Sequence, residues 1–370
     1  MLSLNYIKIV ITSKKWFNNT KDLILKLRIM NENKKNPKVT VLMPVYNNEK
    51  YLREAIESIL NQTFIDFEFL IINDGSTDQS LKIIKSYTDP RIKLINNDKN
   101  RGLIYSLNHS LDLSRGKYIA RMDGDDISLA PRLAQQVAFM DSHTEIAVCG
   151  SWIKTIGDHA GFINRFLTNP DDIKANLLFY TSIAHSSVMI RKSTIEQFHL
   201  RYDKNYPHCE DYKLWVEISC HTKIANIPKV LQLYRMHKKS TGHTHSDIQR
   251  VGIIRIRLTQ LKHLEIMSSE EDVYFHNSLQ PNTKKEIQLF LNKKEQWLIK
   301  ILNANKQNKI YNTDSLSKII YIHWRTICGS NSKEGLKVWK SFIKSPLYRI
   351  YNKNKMWDST KIFIKCLLRR

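Results

Sequence analysis

Two kinds of segment alternate along the first 240 residues. Residues 38–46 (KVTVLMPVY) form an unbroken apolar, β-branched run, which predicts a buried strand. Asn47-Asn48 interrupts it, and residues 49–62 then place Leu52, Ile56, Ile59 and Leu60 at helical spacing. A second buried strand, residues 67–72 (FEFLII), stops abruptly at Asn73-Asp74-Gly75-Ser76-Thr77-Asp78, and a helix resumes over residues 81–87. Residues 92–95 predict a short third strand. Residues 118–122 (YIARM) predict a fourth that runs straight into Asp123-Gly124-Asp125-Asp126. Further on, Asn169-Pro170-Asp171-Asp172 has the cap, proline and first-turn acids of a helix start. Residues 187–191 then read as a strand, and residues 212–220 as an apolar-periodic helix. Strands alternating with helices predict an α/β fold with a mostly parallel central sheet flanked by helices. Beyond about residue 245 the chain turns Lys/Asn-rich and helical with few glycines, a basic C-terminal extension. The expected organisation is a basic amphipathic segment over 1–37, an α/β domain over 38–245 and a mainly helical region over 246–370.

With 370 residues, 42% of them hydrophobic and 25% charged, the chain is neither disordered nor a polytopic membrane protein. The net charge of +23 is uneven. Residues 1–38 hold nine Lys/Arg against Asp22 and Glu32, and residues 333–370 hold eleven against Glu334 and Asp358. Apolar residues among these lysines, in residues 2–30 and again in MWDSTKIFIKCLLRR, predict either amphipathic helices for an anionic membrane surface or ordinary solvated faces. Five widely spaced cysteines without C-x-x-C suggest reduced thiols in a cytoplasmic protein. The N-terminus has neither the basic region nor the small-residue cleavage site of a signal peptide.

Ligands of parallel α/β sheets bind outside the carboxyl ends of the strands. Three successive strand ends here are polar: Tyr46-Asn47, Asn73-Asp74 and Asp123/Asp125. The Asp123-x-Asp125-Asp126 cluster can hold a hard divalent cation with positions open for phosphate oxygens, or it can be an acidic turn capping the next helix. Asp74 can accept hydrogen bonds from a base or ribose, or simply close a loop. Glu210-Asp211 reads either as helix-start acids favoured by the macrodipole or as reactive carboxylates. Trp215, one turn later, is either core or a sugar platform.

In this order, VTVLMPVYNNEKYLREAIESILNQTF, IINDGSTDQS, NRGLIYSLN, YIARMDGDDISLAPRLAQQVAFM and CEDYKLWVEIS resemble glycosyltransferase family 2 of the GT-A fold, over roughly residues 38–240. The resemblance implies that Pro44, Tyr46, Glu49 and Asp74 line a nucleotide pocket, with Asp123 facing the ribose and Asp125 the metal, Mn²⁺ or Mg²⁺. Asp211, beside Glu210, would be the catalytic base. Arg121 and the Asn100-Arg101-Gly102 turn would contact the nucleotide or its diphosphate. Tyr234-Arg235-Met236-His237 resembles a family stretch near the diphosphate, so His237 is either a metal or phosphate contact or an ordinary surface or core histidine. His185 lies in a stretch resembling the acceptor side, where Trp215 would also stand if it is a sugar platform. No Q-x-x-R-W motif and no transmembrane helix follow, so transfer of one sugar is expected rather than polymerisation. The implied function is inverting transfer from a nucleotide-sugar donor, a UDP-sugar, to a saccharide or lipid-linked acceptor hydroxyl in envelope polysaccharide synthesis. The expected location is cytoplasmic, peripheral at the inner face of the membrane. A nucleotidyltransferase would need a Gly-rich loop after the first strand, and MPVYNNEKYL has no glycine. A pI near 9.7 permits a nucleic-acid binder, but three acidic strand ends would repel phosphate, so no nucleic-acid partner is expected. A membrane-surface protein without catalysis is disfavoured because every acidic position of the pattern is filled.

Overall fold

The computed structural model describes residues 36–237, 246–351 and 355–369. The amphipathic helix expected within residues 2–30 lies outside them.

The run VTVLMPV becomes β1 (Val39–Val45), with all seven residues buried at the centre of a nine-stranded sheet. On one side it pairs in parallel with β2 (Phe67–Asn73), which pairs in parallel with β3 (Ile92–Asn96). On the other side it pairs in parallel with β4 (Tyr118–Arg121). The register Val45↔Asn73 makes β1 and β2 end together, so Asp74 begins its loop level with Tyr46. β5 (Ile127–Ser128), β6 (Ile146–Gly157), β7 (Ile163–Asn164), β8 (Met189–Arg191) and β9 (Lys223–Met236) complete the order β3-β2-β1-β4-β8-β6-β9-β5, with β7 on β6. The α/β fold is as the sequence predicts, but only its first half is wholly parallel. β8 runs antiparallel to both β4 and β6, and β5 antiparallel to β9.

Alternate residues of β1 face opposite sides. Val41 and Met43 join Ile56, Phe69 and Leu133 in one core, while Leu42 joins Leu107, Ile119 and Trp215 in the other. The flanking helices are α1 (Leu52–Leu60), α2 (Ser80–Lys85), α3 (Leu103–Leu113), α4 (Arg132–Ser142), α5 (Pro170–Asn176), α6 (Lys192–Gln197) and α7 (Glu210–His221). Asn169 caps α5 as the sequence predicts, its Oδ1 accepting from Asp171 and Asp172 N–H. Beneath the sheet's polar edge lies a fully buried guanidinium, that of Arg132. It donates to the carbonyls of Arg121 (2.7 Å) and Val188 (3.2 Å) and to the side chains of Gln136 and Gln232 (3.0 Å each). One side chain thus ties the end of β4 and the start of β8 to β9.

The C-terminal region is helical: α8 (Ser246–His263), α9 (Glu270–Asn277), α10 (Ile287–Asn308), α11 (Thr313–Ser330), α12 (Leu336–Lys344) and α13 (Lys355–Leu367). Its core of Trp297, Ile320, Trp324 and Phe342 also takes in Ala175, Leu178 and Phe179 from the end of α5 onward. Lys318 of α11 pairs with Asp172 of α5. The helical region is therefore packed onto the sheet-bearing part rather than strung from it.

Candidate active site

A cleft of about 1670 Å³ opens along the carboxyl edge of the parallel strands. Pro44, Tyr46 and Glu49 from the β1 end, Asp74 from the β2 end, and Arg121, Asp123 and Asp125 from the β4 end all line it. His237 after β9 and Glu210 and Asp211 at the start of α7 do so as well, together with His185. Residues as far apart as 44 and 237 converge because the strands that carry them end at one edge.

The first two loops are laced together. Asn47, at φ +51°, takes Thr77 N–H on its Oδ1 (2.8 Å) and gives its own N–H to Ser76 Oγ (3.1 Å). Glu49 N–H donates to Asp78 Oδ2 (3.0 Å), and Glu49 Oε2 accepts from Gln79 N–H (2.9 Å). Tyr46 is left exposed at the mouth.

Buried Asp74 organises the next loop. Its Oδ1 accepts from Asn97 Nδ2 (2.7 Å) and Arg101 N–H (3.0 Å), and its Oδ2 from Gly102 N–H (2.9 Å). Gly75 (φ +66°) allows this fold-over, because a Cβ there would lie 2.4 Å from the Lys99 carbonyl carbon. Arg101 itself turns outward: its guanidinium sits 4.4 Å from the Tyr105 ring centroid, and its neighbour Asn100 lines the cleft in its place.

At the β4 end the buried Arg121 guanidinium pairs with Asp123, while its Nε has no partner among the described residues. Burial raises the Asp123 carboxyl above its ordinary range, against the pull of Arg121. Asp126, nearly inaccessible, accepts from Arg235 N–H (2.8 Å), and burial beside Asp123 and Asp125 lifts it to about 7. It anchors the loop rather than facing the cleft. The end of β9 wraps this loop. Arg235 Nε donates to the Asp125 carbonyl (2.8 Å) and its guanidinium covers Tyr51 at 4.4 Å, while His237 Nε2 meets Asp125 Oδ2 at 3.0 Å. Among the described residues no three His, Cys, Asp or Glu side chains gather as a complete metal-ligand set. Asp125 and His237 are a two-donor set, hard oxygen with imidazole nitrogen, that suits a divalent ion whose remaining positions are filled by a ligand's oxygens.

Across the cleft, burial first and the Asp211 charge second raise Glu210 to about 7. Burial also raises Asp211, whose Oδ1 accepts from Tyr212 N–H at 2.7 Å. His185 donates to or accepts from Tyr202 Oη (2.9 Å), and burial holds it neutral, well below the usual histidine range. Trp215 corrects one expectation. It is fully buried and does not line the cleft, because α7 turns that face into the core, where its indole edge meets His185 at 5.9 Å. It cannot serve as a sugar platform.

Two parts of the site carry no mark in the sequence pattern. Tyr51, under both Arg235 and His237, stands in the quoted motif but has no chemical signal of its own. The far wall, with Tyr180, Gln249, Ile253 and Arg257, draws on α8 in a region without a recognisable motif.

The family model for glycosyl transferase family 2 matches residues 40–196. An uncharacterised glycosyltransferase of Haemophilus influenzae is 32% identical over 334 residues, spanning 83% of this chain and 97% of that protein. The Escherichia coli protein WfgD, a UDP-Glc:α-D-GlcNAc-diphosphoundecaprenol β-1,3-glucosyltransferase, is 29% identical over 205 residues, 55% of this chain and 78% of its own length. Among solved structures, residues 1–349 of S. aureus TarS share the fold with a TM-score of 0.53 at 18% identity, over 86% of this chain and 92% of that one.

Proposed function

We propose that this chain, which belongs to glycosyltransferase family 2 and has the GT-A fold, moves one sugar from a nucleoside-diphosphate sugar to an acceptor hydroxyl with inversion at the anomeric carbon. The observation that carries this reading is the meeting of three strand ends with the Glu210-Asp211 pair across one cleft. Tyr46, Glu49 and Asp74 with its laced loops form the nucleotide end, and Asp123 takes the ribose. Arg121, buried behind Asp123, lends positive charge toward the diphosphate. Asp125 and His237 would hold Mn²⁺ or Mg²⁺, which would supply charge neutralisation for the departing diphosphate.

Asp211 is the base. Its raised proton affinity suits it to take the acceptor hydroxyl's proton as that oxygen attacks the anomeric carbon opposite the leaving diphosphate. One displacement turns an α-linked donor into a β-linked product. A UDP-sugar donor and a saccharide or lipid-linked acceptor are supported by the name of WfgD, which carries UDP-Glc, a diphosphoundecaprenol acceptor and a β linkage. Such an acceptor would place the enzyme at the inner face of the cytoplasmic membrane, in envelope polysaccharide synthesis. Among the described residues no helix is long and apolar enough to cross that membrane. Residues 38–245 would be the catalytic unit, with residues 246 onward supplying the far wall. His185 would face the acceptor side.

A panel of nucleoside-diphosphate sugars, assayed for release of the nucleoside diphosphate with Mn²⁺ and without it, tests the proposal. Turnover of one UDP-sugar is expected. Failure to bind or turn over any member would overturn it.

A further inference from the structure

The last helix, α13, has three distinct sides. Asp358, Ile362 and Cys366, spaced four apart, are buried, with Asp358 taking Arg325 (3.0 Å) and Tyr321 Oη (2.9 Å). That face is fixed to the helical core. The opposite side is apolar and bare: Met356 and Trp357 are 84% and 61% exposed, and Ile364, Leu367 and Leu368 are each roughly half exposed. Trp357, Ile364 and Leu368 (one residue past the helix end, its N–H still bonded to the Ile364 carbonyl) fall along one line, with Met356 and Leu367 on the adjacent line. The third side, flanking this stripe, is basic. Lys361 and Lys365 are exposed there, with the Lys361 ammonium 4.8 Å from the Trp357 ring centroid.

Five large apolar side chains on one exposed helix face are more than scattered surface hydrophobicity explains. Charge identifies what covers them. The segment's acid, Asp358, is turned inward and neutralised by Arg325, so it offers nothing to the outer face. On the neighbouring α12, Lys337, Lys340 and Lys344 are exposed too, and Trp339 joins the two helices through Ser359 Oγ (3.1 Å) and the Phe363 ring. None of these lysines forms an ion pair among the described residues. An apolar stripe with an indole beside an ammonium, bordered by unpaired cations, matches a bilayer whose headgroups are anionic. A second copy of the chain would bring the same positive charge against itself.

We infer that the exposed face of α13 docks on an anionic lipid surface, with Trp357, Ile364, Leu367 and Leu368 entering the headgroup boundary and Lys361, Lys365 and the α12 lysines on the lipid phosphates. The inference deepens the membrane-linked acceptor reading but stands on its own observations. The full chain, without donor or acceptor, is sedimented with vesicles of phosphatidylcholine alone and with phosphatidylglycerol added. Binding to the anionic vesicles only, weakened by salt, is the expected result, because each cation near such a surface adds about five-fold. Trp357→Ser with Ile364→Ser should lower binding about ten-fold or more through lost apolar insertion. Lys361→Glu with Lys365→Glu should lower binding to the anionic vesicles by about 25-fold or more, leaving the part of the preference that the α12 lysines carry. All four residues are exposed, so an unchanged circular dichroism spectrum is expected and separates lost docking from lost fold. Equal binding to both vesicle types, no binding, or indifference to both variants overturns the inference. So does a lipid-free dimer that the serine variant dissociates. Nucleotide-sugar turnover without vesicles should be unchanged in both variants, which separates a failure of docking from a failure of the transferase reading.

Discussion

The imidazole Nε2 of His237 lies 3.0 Å from Oδ2 of Asp125, although 112 positions separate them in the chain. The contact exists because β9 ends beside the loop that follows β4, and because Arg235 fastens that loop through Asp125 and Asp126 while also reaching Glu54 of α1. It brings together the two side chains proposed to hold a divalent ion.

Asp125→Ala should abolish metal-dependent binding of a nucleoside diphosphate, and His237→Ala should weaken it by about 10–100-fold, as loss of one ligand or orienting partner does. Calorimetry with UDP and Mn²⁺ measures both. Equal UDP affinity with and without Mn²⁺ in the unmodified protein would remove this pair from the metal role.

Asp211→Asn should reduce turnover by about 10²-fold or more while donor affinity stays nearly unchanged, since a base acts on the acceptor's proton and not on donor binding. Steady-state kinetics beside UDP-sugar titration separates the two effects. Normal turnover would end its assignment as base.

Glu210 sits at about 7 in the folded protein against an ordinary 4.5. Between these values the folded protein retains a proton that the unfolded chain has released. The stabilising contribution is therefore complete below about 4.5 and lost as pH rises through about 7. Thermal melts should show Glu210→Gln less sensitive to pH than the unmodified protein across this window and more stable than it at mildly alkaline pH. Parallel pH profiles for the two proteins would contradict the burial argument.

Gly75→Ala should cost about 1–3 kcal/mol and weaken nucleotide binding, because positive φ and a 2.4 Å approach to the Lys99 backbone leave no room for a methyl group. Urea unfolding and UDP titration read the two consequences.

Trp215→Ala should destabilise the protein by about 3–5 kcal/mol, the range for a large buried aromatic. Trp215→Phe should leave the acceptor KM close to that of the unmodified enzyme. A raised KM with unchanged stability would return this ring to the cleft.

The sequence by itself determined the first four strands, the helix after each of the first two, and the polar strand ends. These depend on local patterns: apolar runs of strand length, turn residues behind them, and the rule that parallel strands bind ligands at their carboxyl ends. That is why local pattern alone places Tyr46, Asp74, Asp123 and Asp125 at strand ends, whereas Asp211, which the pattern leaves open as a helix-start acid, is named as base only through the family resemblance. Tertiary structure alone decided three things. The antiparallel β8 lies between β4 and β6, and the long pair β6 and β9 carries His237 to Asp125, because strand pairing joins residues far apart in the chain and leaves no local mark. Trp215 went into the core because the rotation of α7 is set by what packs against it, not by its own sequence. The far wall with Tyr180 and Arg257 comes from helices whose position depends on a core shared with Ala175, Leu178 and Phe179. Local chemistry can mark which residues react; which of them face each other is fixed by burial and long-range pairing.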